Sequence, residues 1–273
     1  MLAPVLSPYV ASAVSYDVAM PGPGVHRGLP GTTMTFVLPL DDPLDVSWAG
    51  DPGSRRSGWS SVAGLHTRPA QIHHGDRQRG MQLELTPHGV RALLGLPIGA
   101  LAGQLLGLED LAGDLAPGLR DLPEELAAAP DDERRTRLLN RRLVAALSAT
   151  GAPGPRAEVG HALALLSRGA PVHRAADETG YSRRHLGNLL RAECGLAPKQ
   201  FQRIARFERS AARWRRALTT GREGLADVAA ACGYADQAHL TREWTALAGC
   251  SPTTWAREEF PFVQDVGERD EEG

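Results

Sequence analysis

The chain has 273 residues, with 30 Lys and Arg against 32 Asp and Glu and a hydrophobic share of 42%. That is length enough for two cores, and no apolar run approaches the roughly 18 residues of a membrane span. The start, MLAPVLSPYV, places no basic segment before its apolar residues, so a secretory signal is not expected. Three cysteines, Cys194, Cys232 and Cys250, form no CxxC pair. They argue against a disulfide framework or zinc knuckle and read as buried thiols in a reducing cytoplasm.

The small overall charge hides opposed blocks. Residues 1–155 sum to −3, residues 156–257 to +7 and residues 258–273 to −6. A basic block of that size points to a polyanionic partner, although a solvated arginine-rich face has the same composition.

In chain order, TTMTFVL (32–38), LDVSWA (44–49), SGWSSVAGL (57–65) and GMQLELT (80–86) are rich in β-branched and aromatic residues. Gly/Pro/Asp stretches separate them, and they are expected as strands. Beyond Pro87 the leucines of PHGVRALLG, IGALAGQLLGLEDL and DERRTRLLNRRLVAAL (132–147) recur at helical intervals, with Asp131 or Asp132 as a cap for the last. Residues 1–150 therefore read as an α+β domain of short strands, in the manner of a reduced barrel, plus helices. SATGAPGPR (148–156) has the composition of a linker. Residues 157–257 read as an all-α domain, and 258–273 as an acidic, disordered tail.

The all-α region contains an internal repeat. Gly180-Tyr181 matches Gly233-Tyr234 at an offset of 53. At an offset of 54, His185-Leu186 matches His239-Leu240, Gly195 matches Gly249, Pro198 matches Pro252 and Phe201 matches Trp255. Each copy opens with small and apolar residues at i, i+3, i+4 and i+7: Val172, Ala175, Ala176 and Thr179, then Leu225, Val228, Ala229 and Cys232. Gly180 and Gly233 supply the turn, Ser182 and Asp236 cap the next helix, and the product is two helix-turn-helix units. Between them, Ile204, Phe207, Ala211, Trp214 and Leu218 form one apolar stripe on a helix expected over Pro198 to Ala217. Its length of about 30 Å is close to the spacing of roughly 34 Å between successive major-groove turns.

This region resembles the DNA-binding domain of the AraC/XylS family of transcription regulators. The likeness covers roughly residues 157–257 and rests on GYSRRHL, the G-L-A-P…F join, FQRIARFERSA, GYADQAHLTREW and GCSPTTW. It implies a sequence-specific regulator with double-stranded DNA as partner and no cofactor, metal or membrane role. A small-molecule effector, RNA polymerase at an activated promoter and a second copy of the chain are further partners of such regulators. The location implied is cytoplasmic, at the nucleoid. Carried over by position, the first recognition helix presents Arg183, Arg184, Gly187, Asn188 and Arg191, and the second presents Gln237, Ala238, His239, Thr241 and Arg242. Arginine suits guanine and asparagine suits adenine. Two residues depart from the family pattern: Glu243 sets an acid beside the second face, and Trp244 replaces the usual phenylalanine.

His66, His73, His74 and His88 lack the H-x-H pair and trailing Glu of a metal-binding cupin. No G-x-S-x-G elbow is present. A DNA-repair methyl acceptor, fused to this domain in some relatives, needs a reactive cysteine outside the helix-turn-helix units, and residues 1–155 contain none. The basic block could instead bind an acidic protein. The leucine-rich helices of 97–147 either form a dimer seam or pack on the strands.

Overall fold

The computed structural model describes residues 2–111, 115–116, 118–150 and 157–259. Among the described residues nine strands make two antiparallel sheets. The first contains β1 (Val10–Ala19), β8 (Arg77–Leu85), β3 (Met34–Pro39), β6 (Ser61–Ala63) and β9 (Leu105–Leu106), in that order. The second contains β2 (Gly24–Gly28), β7 (Ala70–His74), β4 (Leu44–Trp48) and β5 (Asp51–Gly58). The N-terminal region is thus β-rich, as expected, with two separate hydrogen-bonded sheets in place of a closed barrel.

Strand β8 shows how the sheet divides its faces. Met81, Leu83 and Leu85 are buried beside Phe36 and Leu38 of β3, in a core shared with α1 (Pro87–Leu94), α2 (Leu122–Ala128) and α3 (Asp132–Thr150). Gln78, Gln82 and Glu84 alternate with them onto the opposite face, as strand periodicity requires, and line a cavity. Local signals fix the helices. Thr86 accepts the Gly89 amide at 2.9 Å ahead of Pro87, and Asp131 accepts the Arg134 amide at 2.7 Å as the cap of α3.

One expected helix does not form. IGALAGQLLGLEDL forms no helix but a 3₁₀ turn (Ile98–Leu101), the short β9 and a second 3₁₀ turn (Leu108–Asp110). Gly103 at φ +72 breaks any helical continuation.

Among the described residues seven helices follow: α4 (Ala157–Ser167), α5 (Val172–Thr179), α6 (Arg183–Cys194), α7 (Pro198–Thr220), α8 (Leu225–Ala231), α9 (Gln237–Ala248) and α10 (Pro252–Glu258). Of the expected linker 148–156, the first three residues belong to α3 and the rest lie outside the described residues. The buried core does not divide at that point. Leu139 and Leu143 of α3, Leu166 of α4, Leu186 and Leu190 of α6, and Ile204 of α7 belong to one cluster with the first sheet. A second cluster begins at Phe207 and gathers Trp214, Val228, Leu240, Trp244 and Trp255. The first helix-turn-helix unit is therefore fused to the N-terminal core, while the second has its own.

Two histidines are held uncharged. His66 is buried against Trp48, with ring centroids 4.6 Å apart, and burial pushes it down to about 4. Burial, with His74 beside it, does the same for His26. Unfolded imidazoles bind protons below about 6.5, so between pH 6.5 and 4 the unfolded chain takes up more protons and stability falls with pH. Burial raises the Glu84 carboxyl, which acts in the opposite sense at the acid end. Denaturant melts taken at intervals from pH 7 to 4 should show a decline on the order of 3 kcal/mol per histidine. Replacing His66 by Gln should remove its share of the decline and leave that of His26.

Candidate nucleic-acid interface and cavity

The two repeats fold alike. In α5–α6, Gly180 at φ +70 ends the first helix and Ser182 Oγ accepts the His185 amide at 3.2 Å. In α8–α9, Gly233 at φ +77 makes the turn and Asp236 Oδ1 accepts the His239 amide at 2.6 Å. Helix α7 joins them with 23 residues, three more than expected at its C-terminal end, and rises about 34 Å. Ile204, Phe207, Ala211 and Trp214 are its buried stripe.

On α6, Arg183, Arg184, Asn188 and Arg191 are exposed on one side of the helix. Gly187 is not, which corrects its expected place on that face. It is buried, and a Cβ there would meet Arg191 Nη1 at 3.6 Å and Pro198 Cδ at 3.9 Å, ordinary contact distances. Gly187→Ala should therefore raise stability by about 0.5–1 kcal/mol through helix propensity, read as a shift in the urea midpoint. On α9, Gln237, Ala238 and Arg242 are exposed and Thr241 is half-buried. His239 is also half-buried, edge-on to Tyr234 at 5.3 Å, with Nδ1 accepting the Ala235 amide.

The two departures in the second unit have partners. Glu243 accepts from Arg203 Nε at 3.0 Å and Arg206 Nη2 at 2.9 Å, so its charge is neutralised by α7. Arg206 also lies over the Tyr234 ring at 4.7 Å, tying linker helix, turn and recognition helix together. The Trp244 indole Nε1 donates to Ser210 Oγ at 3.0 Å, which a phenylalanine could not do. Arg209, another cation of α7, donates to the Ser167 carbonyl.

The N-terminal histidines are placed apart from a shared centre. His66 lies under Trp48, His73 reaches Ser47 at 3.5 Å, His74 faces His26, and His88 stacks edge-on to Tyr9. All three cysteines are buried free thiols, and burial raises each of them.

The feature not anticipated from sequence is a cavity of about 490 Å³ between the two sheets, closed on one side by α7 and α10. Its walls are apolar, from residues such as Val14, Val37, Val46 and Ile72, with Tyr16, Glu84, Glu208 and Arg215 set among them. Tyr16 lies across β8 only because position 80 is glycine. A Cβ there would stand 2.5 Å from the Tyr16 hydroxyl and 2.8 Å from the Leu38 carbonyl. The polar alternation of β8 was the available signal, but a polar strand face reads as solvated.

Residues 175–258 match the model of a family described as a helix-turn-helix domain, and they are an AraC-type domain of that kind. Among curated proteins none matches the chain. Among solved structures, ToxT from Vibrio cholerae O395 aligns with a TM-score of 0.52 at 10% identity, covering 94% of this chain and 98% of that one. An apo variant of ToxT from Vibrio cholerae strain SCE256 gives 0.53 at 10%, covering 89% and 96%. Wild-type ToxT of that strain with bound unsaturated fatty acid gives 0.50 at 9%, covering 90% and 94%. At these identities the likeness is one of fold: a β-rich N-terminal domain followed by a helical C-terminal region. No helix among the described residues is long and apolar enough to cross a membrane.

Proposed function

We propose that the protein is a transcription regulator that reads duplex DNA with α6 and α9 in successive major-groove turns. In this reading residues 1–150 form the regulatory part, 157–257 the reading part, and a small molecule in the cavity is the effector. The observation that carries it is the pair of capped helices with exposed polar faces, joined by a continuous helix about as long as the groove repeat. Arg184 and Asn188 serve as base readers of the first unit, with Arg183 and Arg191 on phosphates. Gln237 and Arg242 serve the second, with Ala238, His239 and Thr241 at its edge. Gly187 lies buried behind the first face, where an alanine would fit as well. The Glu243 clamp holds α9 rigidly to α7, which pre-organises the second reader and argues for a base-reading role there too.

Support for the effector comes from the cavity and from ToxT, which binds an unsaturated fatty acid and, in another structure, a naphthalenyl butenoic acid. Recruitment of RNA polymerase, self-association and a non-enzymatic role in the cytoplasm belong to the same reading.

Arg184→Ala and Asn188→Ala should each cost about 1–3 kcal/mol on the cognate site and relax one base position. Random DNA should lose far less. Binding curves on both DNAs at two salt concentrations check this. Equal losses on both would make these residues phosphate contacts. Binding to an acidic protein with none to DNA would favour the rival reading of the basic block.

A further inference from the structure

The cavity has opposite chemical poles. At one end, Glu84 and Glu208 face each other across neighbouring threonines. Glu84 accepts from Thr33 Oγ1 at 2.6 Å, Gln82 Nε2 at 2.9 Å and Thr35 Oγ1 at 3.2 Å, so both its oxygens are engaged. Glu208 uses only Oε2, which accepts from Thr32 Oγ1 at 2.7 Å and the Thr32 amide at 3.3 Å. Its Oε1 has no hydrogen-bond partner among the described residues. The place where a side chain could cover it is Gly31, whose Cβ would stand 3.0 Å away.

Seven residues further along α7, on the same face and about 10 Å away by helical rise, Arg215 lies over the Trp255 ring at 5.3 Å. Its Nε is buried without a hydrogen-bond partner. Buried guanidinium groups are normally paired, and no carboxylate of the described residues forms an ion pair with this one. The valine and isoleucine walls line the same cavity, and His26 Nδ1, buried without a hydrogen-bond partner, is a further open group among them.

We infer that the cavity takes a two-headed ligand: an apolar chain with a carboxylate at Arg215 and, about 10 Å away, a hydrogen-bond donor for Glu208 Oε1. This rests on the effector reading and narrows it. A plain aliphatic acid satisfies only Arg215, and a diacid sets a second carboxylate against Glu208 and Glu84. A hydroxyl or ammonium at the far end matches both poles. The occupant touches both sheets, α7 and the helix that follows the second reader, so it bridges the two buried cores.

The test is isothermal titration of the full chain with decanoate, ω-hydroxydecanoate and decanedioate. The hydroxy acid should bind about tenfold tighter than decanoate, the worth of one hydrogen bond to a charged group, and the diacid weaker than decanoate. In Glu208→Gln, which trades a charged acceptor for a neutral one, the hydroxy-acid preference should fall to about threefold or less. Arg215→Met should lose all three acids while Arg215→Lys keeps them, and thermal melts of each variant confirm folding. Equal binding of decanoate and ω-hydroxydecanoate, or an undiminished preference in Glu208→Gln, overturns the two-headed assignment and leaves an acid-binding cavity standing. Failure of all three acids to bind the unaltered chain removes both.

Discussion

Arg91→Ala is expected to destabilise the chain by about 3–5 kcal/mol. Arg91 sits in the last turn of α1 and grips Glu193 near the end of α6 through Nε at 3.2 Å and Nη2 at 2.6 Å. The Glu193 side chain is only 8% exposed and the arginine 24%. Removing the arginine leaves the nearly buried Glu193 carboxylate, next to Cys194, without its partner. The reverse change, Glu193→Ala, should cost distinctly less, because the guanidinium can still reach solvent. The loss should extend to DNA, since this pair and the close approach of Gly99 to Gly195 seat α6 on the N-terminal core. A Cβ on Gly99 would stand 2.5 Å from the Gly195 amide nitrogen. Urea denaturation of both single variants measures the asymmetry, and a larger loss for Glu193→Ala would contradict it.

Trp244→Ala should cost about 3–5 kcal/mol and act on one unit alone. The indole is fully buried between Phe207, at 5.1 Å, and Trp255, at 5.9 Å, and holds Ser210 through Nε1. Because the second cluster is separate from the first, the variant should unfold in two steps. Footprints should then keep protection over the first half-site and lose it over the second. Trp244→Phe, the residue usual in the family, keeps the ring packing but forfeits the bond to Ser210, for about 1–2 kcal/mol. A single cooperative transition in Trp244→Ala would show that the two cores are one folding unit.

The C-terminal half was legible because its signals are local. A cap and its amide lie three residues apart, as at Ser182 and Asp236, and a turn glycine declares itself within one dipeptide. The N-terminal half was less so. β5 begins Asp51-Pro52-Gly53, a turn by composition, yet it is an edge strand, where a proline forfeits no ladder bond to a further neighbour. VASAVSYDVA of β1 carries Val14, Tyr16 and Val18 at every second position, a strand signal, yet it lies outside the four segments expected as strands, as do β2 and β7. The leucines of 98–111 recur at helical spacing, but Gly99, Gly103 and Gly107 interrupt them. The acidic tail proposed for 258–273 begins inside the fold. Glu258 ends α10, and Glu259 pairs with Arg27 of β2 at 2.8 Å; the remaining residues lie outside those described. The cavity was illegible for a different reason. Tyr16, Glu84, Glu208 and Arg215 come from three distant segments, and each alone reads as a surface residue. Glu243 and Arg206 show the same limit, since a charge beside a DNA-facing surface reads as a contact until its partner is known.

The most direct test of the central claim is selection of random duplex DNA on the purified full chain, with the enriched pool sequenced. Two short boxes about one helical turn apart, one blurred by Asn188→Ala and the other by Arg242→Ala, are the predicted result. A single box, or binding that falls with salt while enriching no sequence, would contradict the two-reader account.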